Sequence, residues 1–139
     1  MVYPAGVADV LFSLSEVSMR QGDYHQAIGY LRQTLTLHRR TGEQHGETLA
    51  LRSLALALHR VGQAAAARAE LTMAFRLAAK TGNTYQQAAA HGDLADSYYS
   101  AGEHGHARHH WQRALDLYTE LGASEADEVR AQLAAVSPC

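Results

Sequence analysis

The sequence predicts an all-α protein, a solenoid of three helical αα-hairpins followed by a C-terminal capping helix. Glycines recur every twenty residues, each after a segment of helical character; they are Gly22, Gly42, Gly62, Gly82, Gly102 and Gly122. The only prolines are Pro4 and Pro138, so none interrupts the segments between these glycines. Because glycine ends a helix cheaply in a left-handed conformation, the spacing predicts helices alternating with tight turns.

The first six predicted helices lie between these glycines, over residues 5–20, 24–40, 44–60, 64–80, 84–100 and 104–120. Within each helix apolar residues recur at three- and four-residue steps, the period of a helix with one buried face. Small residues stand at equivalent positions forty apart, at Ala27, Ala67 and Ala107, and would let paired helices approach closely. One hairpin cannot bury its own apolar face, so we expect repeats 1–42, 43–82 and 83–122 to form one domain spanning residues 1–139.

A seventh helix is expected over residues 124–136. Ser124 to Asp127 has the pattern of a capping box, which would begin the helix. An apolar stripe follows, made of Ala126, Val129, Leu133 and Val136. This helix would cover the last hairpin, as the end of a solenoid requires. The alternative is that it is the first helix of a truncated fourth repeat.

Two stretches, Gln21–Ile28 and Leu94–Gly102, resemble the signature of the tetratricopeptide repeat (TPR) family, and Ala107, Trp111 and Ala114 extend the likeness. The resemblance covers essentially the whole chain and implies a right-handed superhelix with a concave groove lined by the first helix of each hairpin. The forty-residue repeat, with segments Thr41–Leu51 and Ala114–Gly122, is similar to the C-terminal TPR arrays of actinobacterial transcriptional regulators of antibiotic biosynthesis.

Composition argues against several classes of function. The formal net charge of −2 leaves no basic excess for nucleic-acid phosphates, so we expect no direct nucleic-acid contact. No apolar stretch approaches the ~20 residues of a membrane span, and the N-terminus lacks the plan of a secretory signal. The single cysteine, Cys139, forms no internal disulfide and suits a reducing compartment. These features predict a cytoplasmic protein without membrane contact.

Nine histidines raise the question of a metal site. The densest run is 104–110, in which His106 and His110 have the i, i+4 spacing that places two imidazoles on one helical face. A second Cys/His pair at ligand spacing is missing, so we expect a solvated outer face and no metal. His91 occupies the position of Leu11 and Leu51 and is expected to be a core-edge histidine with a hydrogen-bond partner.

No arrangement of residues indicates catalysis. Serines lie on regular helices or at helix caps, without a strand-to-helix elbow or a glycine-rich oxyanion loop. Cys139, at a terminus expected to fray, is a poor catalytic thiol. The sequence therefore predicts a protein that is not an enzyme and needs no cofactor.

The resemblance to TPR proteins implies which residues face the groove. The predicted partner-binding residues are Phe12, Glu16, Met19, Arg20, Leu49, Arg52, Leu56, His59, Arg60, Asp96 and Tyr99. Further inner-facing positions are Asp9, Ala89, Gly92 and Ser100. Apolar groups that hairpin packing does not require, beside arginines, suit an amphipathic peptide or helix bearing carboxylates. The alternative is that these residues contact only the end helices of the same chain.

The predicted function is that of a protein–protein interaction or regulatory TPR module, part of a larger bacterial transcriptional regulator. It would bind a partner peptide, or the regulator's own domains, through the concave groove. The alternative from a different class is a peptide or small-molecule sensor, whose ligand occupies the groove and shifts the superhelix. We expect a monomer or a weak homodimer.

Overall fold

The computed structural model describes residues 4–136, with side chains from Gly6 onward, and that range contains seven helices and no strand. The helices are α1 Pro4–Arg20, α2 Tyr24–Thr41, α3 Gln44–Arg60, α4 Ala64–Lys80, α5 Thr84–Ser100, α6 His104–Leu121 and α7 Glu125–Ala135. The all-α prediction is confirmed, and every helix begins and ends within one residue of its expected bounds. Cys139 and its expected fraying lie outside the described residues.

Six nearly identical turns connect the helices. Each contains one of the regularly spaced glycines, with φ between +67° and +85°. The N–H of the residue after each glycine donates to a carbonyl five residues back, as from Asp23 to Ser18 at 2.8 Å and from Gln63 to Leu58 at 2.9 Å. This is the bond of a Schellman motif, which satisfies a carbonyl that the end of a helix leaves free. The turns therefore end each helix at the same point of every repeat.

Consecutive helices pack antiparallel, and small residues set their separation. Ala27, Ala67 and Ala107 are at most 1% exposed, as expected for positions where paired helices touch. One apolar cluster joins α2, α3 and α4 through leucines and reaches Leu94 on α5. A second cluster surrounds Trp111 and includes Ala95 of α5. Because α5 contributes to both clusters, the three hairpins share one continuous core.

One face of α1 departs from the repeat pattern, namely the face that in the later hairpins packs against the preceding hairpin. Val10, Leu14 and Val17 are 60%, 40% and 40% exposed. Their counterparts forty residues later are completely buried: Ala50, Leu54 and Ala57. The difference arises because α2 packs against α3, whereas no helix precedes α1 among the described residues. Asp9, expected to face inward, lines a cavity with these exposed residues and does not line the groove cavity.

The start of α7 corrects a second expectation. Ser124 makes no side-chain capping hydrogen bond, because its φ and ψ of −65° and −23° are helical and do not place its hydroxyl over the helix end. The carbonyls of Ala123 and Ser124 accept from the first backbone N–H groups instead, at 3.2 and 3.1 Å. The hydroxyl of Tyr85 on α5 donates to the Glu125 carboxylate. This contact, together with the apolar stripe of α7, holds α7 against the third hairpin.

Two helical glycines provide a matched test of the packing. A Cβ on Gly29, in the exposed part of α2, would meet no atom within 4 Å, whereas a Cβ on Gly46 would lie 2.5 Å from Cε1 of the buried His38 ring. We expect Gly29→Ala to raise the free energy of unfolding by about 0.5–1 kcal/mol through helix propensity. Gly46→Ala should lower it by about 1–3 kcal/mol through overpacking. Urea denaturation measures both, and equal effects of the two variants would contradict the close α2–α3 contact.

Candidate functional site

The first helices of the three hairpins line a concave groove. Its cavity has a volume of about 530 Å³ and is open to solvent. Phe12 on α1 and Leu49 and Leu56 on α3 supply large apolar groups to its wall. Leu56 is 51% exposed although it is a large apolar residue, because the curvature of the hairpin stack leaves no helix in front of it. The groove therefore presents apolar surface that the fold itself does not cover.

The structure places most of the predicted partner-binding residues around this groove. Seven of them line the cavity: Phe12, Leu49, Arg52, Leu56, His59, Arg60 and Asp96. Tyr99 lines an adjoining cavity, which Asp96 also borders. Glu16, Met19 and Arg20 lie on α1 outside both cavities. The groove is thus centred on α3 and α5, with α1 contributing mainly Phe12.

The two arginines of the groove differ in how far they are engaged. The Nε of Arg52 donates to Asp93 at 2.7 Å, and a guanidinium N–H of Arg52 donates to Gln86 at 3.0 Å. Its positive charge is therefore largely neutralised within the domain. Arg60 is exposed, and its guanidinium carbon lies 5.9 Å from the centre of the Tyr24 ring. Of these two cations, Arg60 is the one available to a partner carboxylate.

Asp96 is an acid that forms no ion pair among the described residues, although His59 lies close enough to oppose part of the rise in its pKa. No arginine, lysine or histidine forms an ion pair with it in the part of the chain that the structure describes. Its side chain is exposed at the groove, but neighbouring protein atoms displace part of its water. This desolvation, followed by repulsion from Asp93, raises the pKa of the Asp96 carboxyl to about 6. A carboxylate in this setting gains more than usual from a cation.

A second cavity, of about 350 Å³, lies between α5, α6 and α7 and meets the groove at Asp96 and Ser100. Its wall includes Tyr99 and Trp111. Trp111 is only 4% exposed, and its indole N–H has no hydrogen bond of normal geometry among the described residues. That N–H still lies close enough to the Asp96 carboxylate to oppose part of the rise in its pKa. The Trp111 indole N–H and the Asp96 carboxylate are therefore neighbours at the wall of this cavity.

A third, smaller cavity of about 160 Å³ is strongly acidic. Four carboxylates line it against the single cation of Arg52; they are Asp93, Asp96, Glu125 and Glu128, and we call them the acidic corner. Sequence reasoning identified only Asp96 of this group. The i, i+3 spacing of Asp93 and Asp96 on α5 was the available signal. The two glutamates could not be assigned, because only the packing of α7 brings them to α5.

Comparison with known proteins identifies the family. A family model described as tetratricopeptide repeat matches residues 6–80, more than half of the chain, and a second model with the same description matches residues 82–121. The chain belongs to the tetratricopeptide repeat family. The TPR fold is a protein-interaction scaffold and is generally not catalytic. A search of curated protein sequences found no significant match.

Solved structures share this TPR architecture at low sequence identity. The TPR domain of Arabidopsis FLU is 18% identical with a TM-score of 0.77, over 82% of this chain and 96% of that one. A Rap protein complexed with competence and sporulation factor is 21% identical with a TM-score of 0.81, over 91% of this chain and 36% of the Rap chain. BtubC (BKLC) from P. vanneervenii is 15% identical with a TM-score of 0.75, over all of this chain and 69% of that one. These likenesses establish the fold.

None of the helices that the structure describes combines the length and apolar character needed to cross a membrane.

Five of the nine histidines form an aromatic cluster on α5 and α6. His104 stacks on Tyr99 and His106 on Tyr98, with ring centres 4.9 Å apart in each pair. His110 was expected on a solvated face, but it is half-buried, because Tyr98 and His91 of α5 pack against it. Between residues 4 and 136, no three His, Cys, Asp or Glu side chains are grouped so that they could hold a metal ion.

His91 has the hydrogen-bond partner that the sequence predicted. Its Nδ1 lies 3.0 Å from Nδ1 of His110, so one ring donates and the other accepts. Phe75 of α4 packs on its other side, with ring centres 4.5 Å apart. Burial, followed by repulsion from His110 and Arg113, lowers the pKa of His91 to about 4. At neutral pH the His91 ring of this pair is therefore uncharged.

This neutral pair predicts a dependence of stability on pH. The unfolded chain takes up a proton at His91 near pH 6.5, whereas the folded chain does so only near pH 4. The free energy of unfolding should therefore fall as the pH falls from about 6.5 to 4, by roughly 1–3 kcal/mol from this group. His91→Leu, which restores the residue found at Leu51, should remove this component. Urea denaturation of both proteins between pH 7 and 4 measures it, and parallel curves would contradict the assignment.

Proposed function

We propose that this TPR domain binds a partner peptide or helix along the concave groove. The observation that carries the proposal is the uncovered apolar wall of the 530 Å³ cavity, where Leu56 is half-exposed beside Phe12 and Leu49. Exposed apolar groups concentrated in a concave surface are typical of binding sites and cost solubility when they have no role. Polar groups at the edge would orient the bound segment.

The proposed contacts are those predicted from the sequence. They are Phe12, Glu16, Met19, Arg20, Leu49, Arg52, Leu56, His59, Arg60, Asp96 and Tyr99. Within this set Arg52 acts mainly through Asp93, which it holds in place. Arg60 is available to a carboxylate of the partner, and Leu56 and Phe12 to its apolar side chains. An amphipathic segment satisfies both requirements.

In the cell, we place this domain in a larger cytoplasmic bacterial transcriptional regulator. The support is the resemblance of its forty-residue repeats to the C-terminal arrays of such regulators. The groove would then bind a separate partner or another domain of the same regulator. Sequencing the reading frame around this segment tests the placement: neighbouring DNA-binding and NTPase segments would support it, and a frame without them would refute it.

A second candidate function is that of a sensor for a peptide or small molecule. The groove volume of about 530 Å³ falls within the range of small-molecule sites, roughly 300–1,000 Å³. The structurally similar Rap protein is complexed with competence and sporulation factor. A sensor would change shape on binding, whereas a docking module would not. Small-angle scattering with and without a selected ligand separates these two functions.

Two exposed apolar residues give a matched test of the groove. Leu56 on α3 faces the groove and is 51% exposed, whereas Met73 on α4 is 45% exposed and does not line the groove. The probe is a dodecapeptide selected from a random display library on the parent domain, with affinity measured by fluorescence polarisation. Leu56→Glu should weaken binding more than tenfold, because it places a charge in the apolar contact.

Met73→Glu is the control and should leave the affinity unchanged. Both variants should remain folded, since each replaces an exposed side chain. Circular dichroism checks this. If the selected peptides bind Leu56→Glu as tightly as the parent but lose affinity for Met73→Glu, the outer face is the binding surface and the groove proposal is wrong.

A further inference from the structure

We infer that the partner segment carries a basic side chain, arginine or lysine, which enters the cavity between α5, α6 and α7 and pairs with Asp96. This inference rests on the proposed function, because it assumes that the groove holds a peptide. It also specifies the partner more closely than an amphipathic segment bearing carboxylates. Three features of the domain support it: the charges along the groove, the arrangement of the cavities and the side chains at their junction.

The charges of the groove are divided along its length. Towards α5 and α7 lies the acidic corner of Asp93, Asp96, Glu125 and Glu128, with only the Arg52 cation among them. Arg52 pairs with Asp93 at 2.7 Å and so does not neutralise Asp96. On the α3 side Arg60 is exposed. A partner with a cation at one end and a carboxylate or neutral group at the other complements this division.

Asp96 is the point where the three cavities meet. It lines the groove, the cavity between α5, α6 and α7, and the small acidic cavity. A side chain branching from a peptide in the groove would therefore pass Asp96 as it enters the second cavity. The second cavity, of about 350 Å³, exceeds the volume of a single side chain. The site has room for the stem and the cationic head of a basic residue.

The side chains around Asp96 indicate which groups such a basic residue would contact. The Trp111 indole N–H is buried beside the Asp96 carboxylate, where it has no hydrogen bond of normal geometry within the described chain. The Asp96 carboxylate beside it can accept from an ammonium or a guanidinium group. Tyr99, exposed at the same cavity, has His104 stacked on its ring and can contact the aliphatic stem with its remaining surface. The carboxylate and the exposed aromatic surface together complement a basic residue.

The raised pKa of Asp96 is consistent with a cationic partner at this position. Desolvation and the neighbouring Asp93 make the ionised form of Asp96 unfavourable, which raises its pKa. A cation placed beside this carboxylate would offset the repulsion from Asp93. A destabilised charged group at the junction of open cavities is typical of a binding site and not of a structural ion pair.

The experiment compares Asp96→Asn with Asp116→Asn. Asp116 is exposed on α6, where its carboxylate accepts from Gln112, and it lines none of these cavities. The probe is a display-selected dodecapeptide whose binding is abolished by Leu56→Glu. Each arginine or lysine of the peptide is replaced in turn by citrulline or acetyl-lysine, which removes the charge but keeps the length. Affinities are measured by fluorescence polarisation at pH 7.5.

We expect one neutralised position to weaken binding to the parent at least tenfold, and Asp96→Asn to weaken binding of the unmodified peptide by a similar factor. The two changes combined should cost no more than either alone, because both remove the same ion pair. Asp116→Asn should bind as the parent does. The melting temperature of Asp96→Asn should equal or exceed that of the parent, because a desolvated charge has been removed.

Different results separate failure of this inference from failure of the groove. If Leu56-dependent peptides tolerate neutralisation of every basic residue and bind Asp96→Asn normally, the groove proposal stands and the cationic site is refuted. If Asp96→Asn loses binding together with a fall in melting temperature, Asp96 is structural and the inference is overturned. If no selected peptide depends on Leu56, the groove proposal fails and takes this inference with it.

Discussion

The structure depends on a left-handed glycine turn repeated every twenty residues. The φ values of the six glycines span only 67° to 85°, and each turn is closed by the same backbone hydrogen bond. Because every turn ends its helix at the same residue, residues forty apart occupy equivalent places in successive hairpins. The first six helices are therefore all 17 or 18 residues long. This regularity places the first helices of the three hairpins side by side along the concave groove.

The chemistry of the groove comes from what changes along this regular backbone. One row of equivalent positions reads Glu16, Leu56, Asp96, and the next reads Met19, His59, Tyr99. The same geometry thus presents an apolar group on the second hairpin and an acid beside an aromatic ring on the third. Arg52 adds a connection between hairpins, since its ion pair to Asp93 joins α3 to α5. The repeat supplies the shape, and departures from the repeat supply recognition.

Two of these departures place an ionisable side chain where its charged form is unfavourable. At His91 the first two hairpins have leucine, yet the third buries an imidazole whose pKa is lowered to about 4. At Asp96 a carboxylate is partly desolvated without a cation. Both residues lie on α5, the helix that contributes to both apolar clusters. Polar groups at odds with their surroundings mark functional positions more often than core positions.

The sequence alone determined the elements and their order. Glycine spacing, alanines at forty-residue intervals and helical periodicity are local or periodic signals, so they predicted each helix end within one residue and most of the groove lining. Only the tertiary structure decided the pairings between distant positions. Arg52 meets Asp93, His91 meets His110, and Trp111 comes beside Asp96 because of the relative rotation of packed helices. That rotation is set by the summed packing of many side chains, and no short stretch of sequence encodes it.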